Sequence, residues 1–165
     1  MISKTQVLKK PTKFITAKGY ARLWMLRNLK RFGASTMDLV DVYEKQCRSV
    51  LELAVLAWSP GLSINDANRI ERVQKTALAI ILGDGYISYD RALRTLNMDT
   101  LSDRRRSLCM SFAKKAYVSD KFNSWFSESG DNSDTVLKVV KTRTSRYRKS
   151  PLPYLTDLLN QEFSK

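Results

Sequence analysis

Apolar residues return every three or four positions along most of the chain, which is the spacing of helices that bury one face. A short apolar run at residues 136–140 suits a strand, but a lone strand without a partner is unstable. The pattern therefore predicts an all-α fold: a compact bundle of about five helices, then a basic tail and a short terminal helix. The predicted helices cover residues 14–32, 36–58, 64–82, 89–96 and 101–116, with the terminal helix inside 150–163.

The first predicted helix carries a stripe of apolar residues that we interpret as its buried face. The stripe consists of Ala17, Ala21, Met25, Leu29 and Phe32, widened by Tyr20 and Trp24. We also expect Trp24, Trp58 and Trp125 to lie in the core, because a tryptophan ring has a large apolar surface to bury. Residues 50–58 are nearly all apolar, so this half of the second helix is predicted to be buried on several sides.

Short polar signals mark where these helices begin and end. Ser63, Ser88 and Thr100 stand just before apolar-periodic runs, as helix N-caps do, and Ser35 or Thr36 can cap the second helix. Gly33, the Ser59-Pro60-Gly61 run and the Gly83-Asp84-Gly85 run are typical stops. The helix boundaries therefore have local causes.

Composition changes after residue 126. Residues 127–135 (SESGDNSDT) are small, polar and acidic, which predicts a flexible linker. We accordingly divide the chain into a basic N-terminal arm (1–13), a helical domain (14–126), the linker, and a basic C-terminal extension with a short helix (136–165). This division predicts that the helical domain stays folded when everything after Ser127 is removed.

Charge narrows the possible partners. Lys and Arg number 29 against 16 Asp and Glu, a net charge of +13 at pH 7. Such a balance favours polyanions, with nucleic acid first, an anionic membrane surface second and an acidic protein third. The alternative is a basic surface that is exposed to solvent and binds no particular partner.

The cations that we select as candidate nucleic-acid-binding residues lie in the first helix and in the tail. No acid precedes Asp38, so we expect the first helix to present a cationic strip along one flank. Tyr147 stands among the tail arginines, a mixture of ring and charge that suits single strands. The candidates are Lys18, Arg22, Arg27, Lys30 and Arg31 in the helix and Lys141, Arg143, Arg146, Arg148 and Lys149 in the tail. Consecutive arginines on a helix point in different directions, so for the run 104–106 a structural role is favoured.

Residues that carry chemistry are missing from the sequence. There is no histidine, no G-x-S-x-G elbow, no phosphate-binding glycine loop and no zinc-ligand spacing. We therefore interpret the chain as non-enzymatic and expect no catalytic residue, no metal and no cofactor. The two cysteines, Cys47 and Cys109, fall on apolar helical faces and are expected to be buried thiols. Without a signal peptide or a bilayer-length apolar run, the expected location is nuclear or cytoplasmic.

Five runs of the sequence together form a recognisable pattern. The runs are RLWMLRNLKRFG (22–33), LELAVLAWSPGL (51–62), IERVQKTALAIILG (70–83), SYDRALRTLNMDTLSDRRRSLCMSFAKK (88–115) and TRTSRYRKSPLPYLTDLLN (142–160). The W-S-P and E-R-V-Q-K-x-A motifs are the most specific of these features. In order and spacing, the five runs resemble the C-terminal segment of jockey-like non-LTR retrotransposon reverse transcriptases.

The resemblance implies a thumb domain with a terminal extension. A thumb grips the template–primer duplex or RNA–DNA hybrid by its backbone, without sequence preference. The palm with its Y-A-D-D-type motif and its metal-binding aspartates is absent from the chain, so no polymerase activity carries over. The alternative is an interaction remnant that packs on a missing palm or fingers domain, or on itself, through an apolar patch near 51–58 or 155–163.

Overall fold

Helices make up nearly all of the regular structure, which confirms the predicted all-α class. The computed structural model describes residues 6–129, 136–139 and 141–164, and the side chains of all of these except 6–11 and 146. Over this part of the chain there is no strand, and the one β-bridge pairs Glu128 with Leu137. The helices are α1 (Gln6–Arg31), α2 (Thr36–Val42), α3 (Ser49–Leu51), α4 (Val55–Trp58), α5 (Ile64–Leu82), α6 (Tyr89–Thr95), α7 (Leu101–Val118), α8 (Ser145–Arg148) and α9 (Pro151–Phe163). A π-helical segment, Tyr43–Arg48, joins α2 to α3, and 3₁₀ turns cover Ser59–Gly61, Gly83–Gly85 and Asn123–Trp125.

The predicted N-caps are confirmed at atomic detail. The hydroxyls of Ser63 and Ser88 accept the backbone N–H three residues on, as does that of Thr100 from Asp103, at 3.0 to 3.3 Å. Ser35 forms a complete capping box, in which the Asp38 carboxylate accepts the Ser35 N–H in return. Each cap satisfies donors that the first helical turn leaves unpaired, so these starts follow from short sequence signals alone.

Two predicted boundaries differ from the structure. Helix α1 begins at Gln6, so residues 6–13 of the predicted N-terminal arm are helical; residues 1–5 lie outside the described part. The predicted second helix does not run unbroken to Trp58, because residues 52–54 form a turn in which Ala54 adopts a left-handed φ of 51°. Leu53 is 59% exposed in that turn, so burial on several sides does not extend across this region.

The buried face of α1 is not the predicted one. Ala17, Ala21 and Phe32 are exposed, while the core side of the helix is formed by another set with the same helical spacing: Thr12, Ile15, Gly19, Leu23 and Leu26. The tryptophan assignments divide in the same way. Trp58 is buried as predicted, whereas Trp24 is 67% and Trp125 45% exposed.

Gly19 lets α1 approach its neighbours closely. A Cβ built at Gly19 would lie 2.7 Å from a Leu51 methyl carbon and 3.0 Å from a Val73 methyl carbon, closer than packed side chains allow. We expect Gly19→Leu to lower the free energy of unfolding by about 1–3 kcal/mol, since overpacking forces neighbours out of their rotamers. Urea denaturation measures the change, with Ala21→Leu on the exposed face as the matched control. Equal stability of the two variants would contradict the close approach.

The chain forms two compact units. Unit 1 comprises Met1–Leu53 and Leu62–Arg104, and unit 2 comprises Ala54–Gly61 and Arg105–Lys165. In unit 1, α1 packs along α5, and the core includes Leu23, Leu26 and Leu78. In unit 2, the core joins the inner face of α7 to the C-terminal helix: Cys109, Ala113, Ala116, Phe126, Leu137, Leu155, Leu158 and Leu159.

A buried polar network fixes the side chains of unit 1. The Tyr43 hydroxyl donates to the Gln74 amide oxygen at 2.7 Å, and the Gln74 amide nitrogen donates to the Tyr89 hydroxyl at 3.1 Å. Tyr89 in turn donates to the Glu71 carboxylate, which also accepts the N–H of Leu101 at 3.1 Å and so caps the start of α7. Burial raises the pKa of both tyrosines well above its ordinary value, and the Glu71 hydrogen bond adds to the rise at Tyr89. Both tyrosine hydroxyls therefore remain hydrogen-bond donors well above neutral pH.

The C-terminal extension is not an isolated tail. Residues 130–135 of the predicted linker lie outside the described part, but residues 127–129 pair with residues 136–138 through backbone hydrogen bonds. Leu137 is fully buried, and α9 supplies three leucines to the core of unit 2. The division at residues 126–136 is therefore replaced by the two units above, and the expectation for removal of everything after Ser127 is reversed.

Candidate nucleic-acid interface

Lys30 faces the core side of α1. Its ammonium donates to the carbonyl oxygens of Ile80 and Ile81, the latter at 3.1 Å. These carbonyls belong to the last turn of α5, where no further helical N–H is available and where a cation is favoured. Lys30 is therefore a capping residue of α5, and we remove it from the candidates for phosphate contact.

Arg22 is also engaged within unit 1. Its guanidinium donates to the backbone oxygen of Gln46 at 2.6 Å and to the side-chain oxygen of the same residue at 3.3 Å. This contact joins α1 to the π-helical segment. Next to it, burial raises the pKa of the Cys47 thiol to about 11, with the charge of Arg22 opposing the rise. Cys47 and Cys109 are both buried free thiols, as predicted.

Three candidates of α1 remain at the surface: Lys18, Arg27 and Arg31. The Lys18 ammonium lies 4.4 Å from the centre of the Phe14 ring, a cation–π contact. Among the described side chains, the ion pairs all lie outside α1. The exposed cations of α1 are thus not neutralised by neighbouring carboxylates.

These cations do not lie on one flank. Lys18 and Arg27 are nine residues apart, which is two and a half turns of an α-helix. They therefore point to opposite sides of α1, and the prediction of a single strip that contains both of them is wrong. Only Arg27 and Arg31, one turn apart, share a side.

A different strip emerges from the helical geometry, which we call the α1 strip: Lys13, Tyr20, Trp24, Arg27 and Arg31. The spacings of seven, four, three and four residues place all five within one narrow sector of the helix. All five are exposed, with Trp24 at 67% and Tyr20 at 42%. At 1.5 Å per residue the strip is about 27 Å long. Sequence reasoning missed it because both rings were assigned to the core.

The tail cations lie in unit 2 and are exposed where described. Thr144 caps the short helix α8 through its hydroxyl, at 3.2 Å from the N–H of Tyr147. Tyr147 is 43% exposed. The candidate cations of the tail whose side chains are exposed are Lys141, Arg143, Arg148 and Lys149. The side chain of Arg146 lies outside the described part.

The arginine run 104–106 takes the structural role favoured above. Arg104 in unit 1 forms a bidentate pair with Glu52, at 2.9 and 3.2 Å, and the hydrogen bond raises its pKa further. In unit 2, Arg105 is buried and Arg106 donates to the side-chain oxygen of Gln161 at 2.8 Å. The run therefore does not face a common ligand.

The predicted apolar patches are mostly covered. Of residues 51–58, Leu51, Val55 and Trp58 are buried, and α9 buries Leu155, Leu158 and Leu159. Leu53 and Phe163 are nevertheless exposed at these two places. Other exposed apolar side chains lie on and beside α1, at Phe14, Tyr20, Trp24, Phe32 and Met37.

Two further properties of the described residues bear on partners. None of their helices combines the length and apolar character needed to cross a membrane. No group of three or more acids or cysteines lies close enough together to hold a metal ion in the same part of the chain. Comparison of the chain with protein-family models, with curated proteins and with solved structures finds no match.

Proposed function

We propose that this chain is a nucleic-acid-binding module without catalysis of its own, which holds the phosphate backbone irrespective of base sequence. The observation that carries the proposal is the acid-free helix α1, whose exposed cations have no ion-pair partner among the described residues. A cation that has no ion-pair partner can contact a phosphate without first breaking a contact with a carboxylate. The net charge of +13 adds long-range attraction for a polyanion.

The phosphate-binding set is smaller than the sequence suggested. Arg22 and Lys30 are occupied within unit 1. Among the cations whose side chains the structure describes, the set keeps Lys13, Lys18, Arg27 and Arg31 of α1 and Lys141, Arg143, Arg148 and Lys149 of the tail. Contacts of this kind position a polynucleotide but carry no sequence information.

The resemblance to the C-terminal segment of jockey-like reverse transcriptases suggests which larger protein this binding would serve. We propose that the chain is a thumb-like piece of such an enzyme, with nucleic acid as its main partner and a palm and fingers domain as a second one. Its location would then be nuclear or cytoplasmic. The catalytic aspartates of the palm are no part of this chain, so its contribution is grip.

The test is the salt dependence of binding. Each phosphate neutralised contributes about −0.9 to the slope of log affinity against log salt on duplex DNA. We expect the combined change Lys13→Ala, Arg27→Ala and Arg31→Ala, which removes the three cations of the α1 strip, to weaken binding equally on unrelated sequences. It should flatten the slope by up to about 2.7 if all three cations contact phosphate. Fluorescence anisotropy of a labelled duplex at several salt concentrations measures both effects.

A charge-matched control separates a binding face from net charge. Arg72, Arg91 and Arg94 are exposed cations of the same unit outside α1. Their combined change to Ala removes the same charge and is expected to alter the slope much less. Equal losses in the two triple variants would contradict α1 as the binding face. An affinity of the unchanged chain that does not respond to salt would contradict the proposed function itself.

A further inference from the structure

The middle of the α1 strip is aromatic and its ends are cationic. Tyr20 and Trp24 are four residues apart, one helical turn, so their rings follow each other at about 6 Å along the axis. Lys13 lies before them, and Arg27 and Arg31 lie after them. The strip thus offers two neighbouring rings between two positively charged ends.

These rings are available to a ligand. Phe14, on another side of α1, already has the Lys18 ammonium over its ring. By contrast, the described side chains make no ring–ring or cation–π contact with Tyr20 or Trp24. Two thirds of the Trp24 surface is exposed. An exposed tryptophan is costly to hydrate, and the core face of α1 is formed by other residues, among them Leu23 and Leu26.

The composition of the strip favours a nucleic acid over a protein or a lipid surface. It contains no leucine, isoleucine, valine or methionine, the aliphatic residues that an apolar partner surface or an acyl boundary would pack against. Its cations carry no local acid to pair with an incoming basic group. Two neighbouring rings flanked by cations suit a ligand that itself combines aromatic bases with phosphates.

Among nucleic acids, the rings select for unpaired bases. In a duplex the bases stack on one another, and a helix on the outside meets phosphates and groove edges. In a single strand every base has a free face, and stacking on an aromatic side chain is favourable whichever base it is. We infer that the α1 strip binds single-stranded nucleic acid, with its cations on phosphates and with Trp24 and Tyr20 stacked on unpaired bases. This inference rests on the proposed function and names its ligand class.

The length of the strip sets the size of the site. About 27 Å corresponds to at most roughly eight nucleotides at the 3.4 Å rise of one strand, and to fewer when the strand is stretched over the rings. Oligonucleotides of about ten nucleotides should therefore bind as well as longer ones, one molecule per chain.

The experiment measures how Trp24→Ala changes the affinity for single strands and for a duplex. Labelled oligo(dT) and oligo(U) of about ten nucleotides represent single strands, and a blunt duplex of about twenty base pairs represents paired ones. Losing one base–ring stack should weaken binding to both single strands at least fivefold. Binding to the duplex should change less than twofold. Tyr20→Ala should act in the same direction, and Trp24→Phe should restore much of the affinity because it keeps a ring.

A second exposed tryptophan provides the matched control. Trp125 lies in unit 2, in a short 3₁₀ turn beside Phe122, and is 45% exposed. Trp125→Ala should leave affinity for the single strands unchanged. Circular dichroism of each variant verifies that helicity is kept, which we expect because neither tryptophan is in the core.

The possible outcomes separate this inference from the proposed function. Unchanged single-strand binding in Trp24→Ala, with binding still lost in the Lys13, Arg27 and Arg31 variant, would overturn the stacking and leave the function standing. Equal losses on duplex and single strand would do the same. No binding to any oligonucleotide at low salt would overturn both. Binding to phosphatidylserine vesicles that Trp24→Ala abolishes, without oligonucleotide binding, would assign the strip to a lipid surface instead.

Discussion

A chain that ends at Ser127 is expected to lose the cooperative fold of unit 2. The truncation removes Leu137 together with Leu155, Leu158 and Leu159 of α9, all fully or almost fully buried. Burying one leucine stabilises a protein by about 1.5–3 kcal/mol, so four of them contribute about 6–12 kcal/mol. That range matches the stability of a whole domain, about 5–15 kcal/mol. The inner face of α7 would then be left open to water.

Hydrogen exchange gives the clearest measurement of this loss. In the truncated chain the amides of residues 109–118 should exchange orders of magnitude faster than in the full chain, because stable packing is what protects them. A dye that binds exposed apolar surface should also bind the truncated chain. The control is a chain that ends at Phe163, which keeps the whole of α9. Full protection of residues 109–118 in the shorter chain would contradict the packing and restore the idea of an isolated tail.

Features of the fold with local causes followed from the sequence. The caps at Ser63, Ser88 and Thr100 depend on hydroxyl groups and backbone N–H groups three residues apart, so a short stretch determines them. The ion pairs Asp41–Lys45 and Glu44–Arg48 also have a local cause, because residues four apart are neighbours on a helical surface. Within such distances, the chain itself brings the partners together.

The orientation of α1 was not determined locally. Two sets of positions in this helix have helical spacing. The set with the larger side chains was predicted to be the buried face. The buried set contains Gly19 and Thr12, a residue without a side chain and a polar residue, and neither indicates a buried face in a sequence. Gly19 is buried because Leu51 and Val73 approach it, and these lie far away in sequence. The assignment of a face therefore depended on contacts that periodicity does not encode.

Some cations of the candidate site were misassigned for the same reason, and part of the misassignment could have been avoided from the sequence. Nothing local indicates that Lys30 caps α5 or that Arg22 reaches Gln46, since each partner is at least 24 residues away. The opposite directions of Lys18 and Arg27 could have been predicted from the sequence, because two residues nine positions apart on an α-helix point to opposite sides. The same helical geometry, applied to every exposed ring and cation, yields the α1 strip from the sequence once Trp24 is placed outside.

Asn160→Ala is expected to destabilise unit 2 by about 2–6 kcal/mol, the second large effect. The Asn160 amide is buried and contacts both backbone groups of Leu137: its oxygen accepts the N–H at 2.9 Å, and its nitrogen donates to the carbonyl at 3.0 Å. Alanine leaves both groups buried without these partners, at about 1–3 kcal/mol each. Asp157→Ala, on the exposed side of the same helix, is the control and should change stability by less than about 0.5 kcal/mol.

The Leu137 amide reports on this pair directly. Its proton should exchange slowly in the unchanged chain and much faster in Asn160→Ala, while amides of α5 in unit 1 keep their protection. One side chain then explains why residues 136–139 stay in the core. Among the described residues, the bridge partner of Leu137 is Glu128, and Asn160 supplies the hydrogen bonds that a neighbouring strand would otherwise provide. If Leu137 remains protected in Asn160→Ala, apolar packing alone holds the segment, and the truncation at Ser127 owes its effect to the leucines.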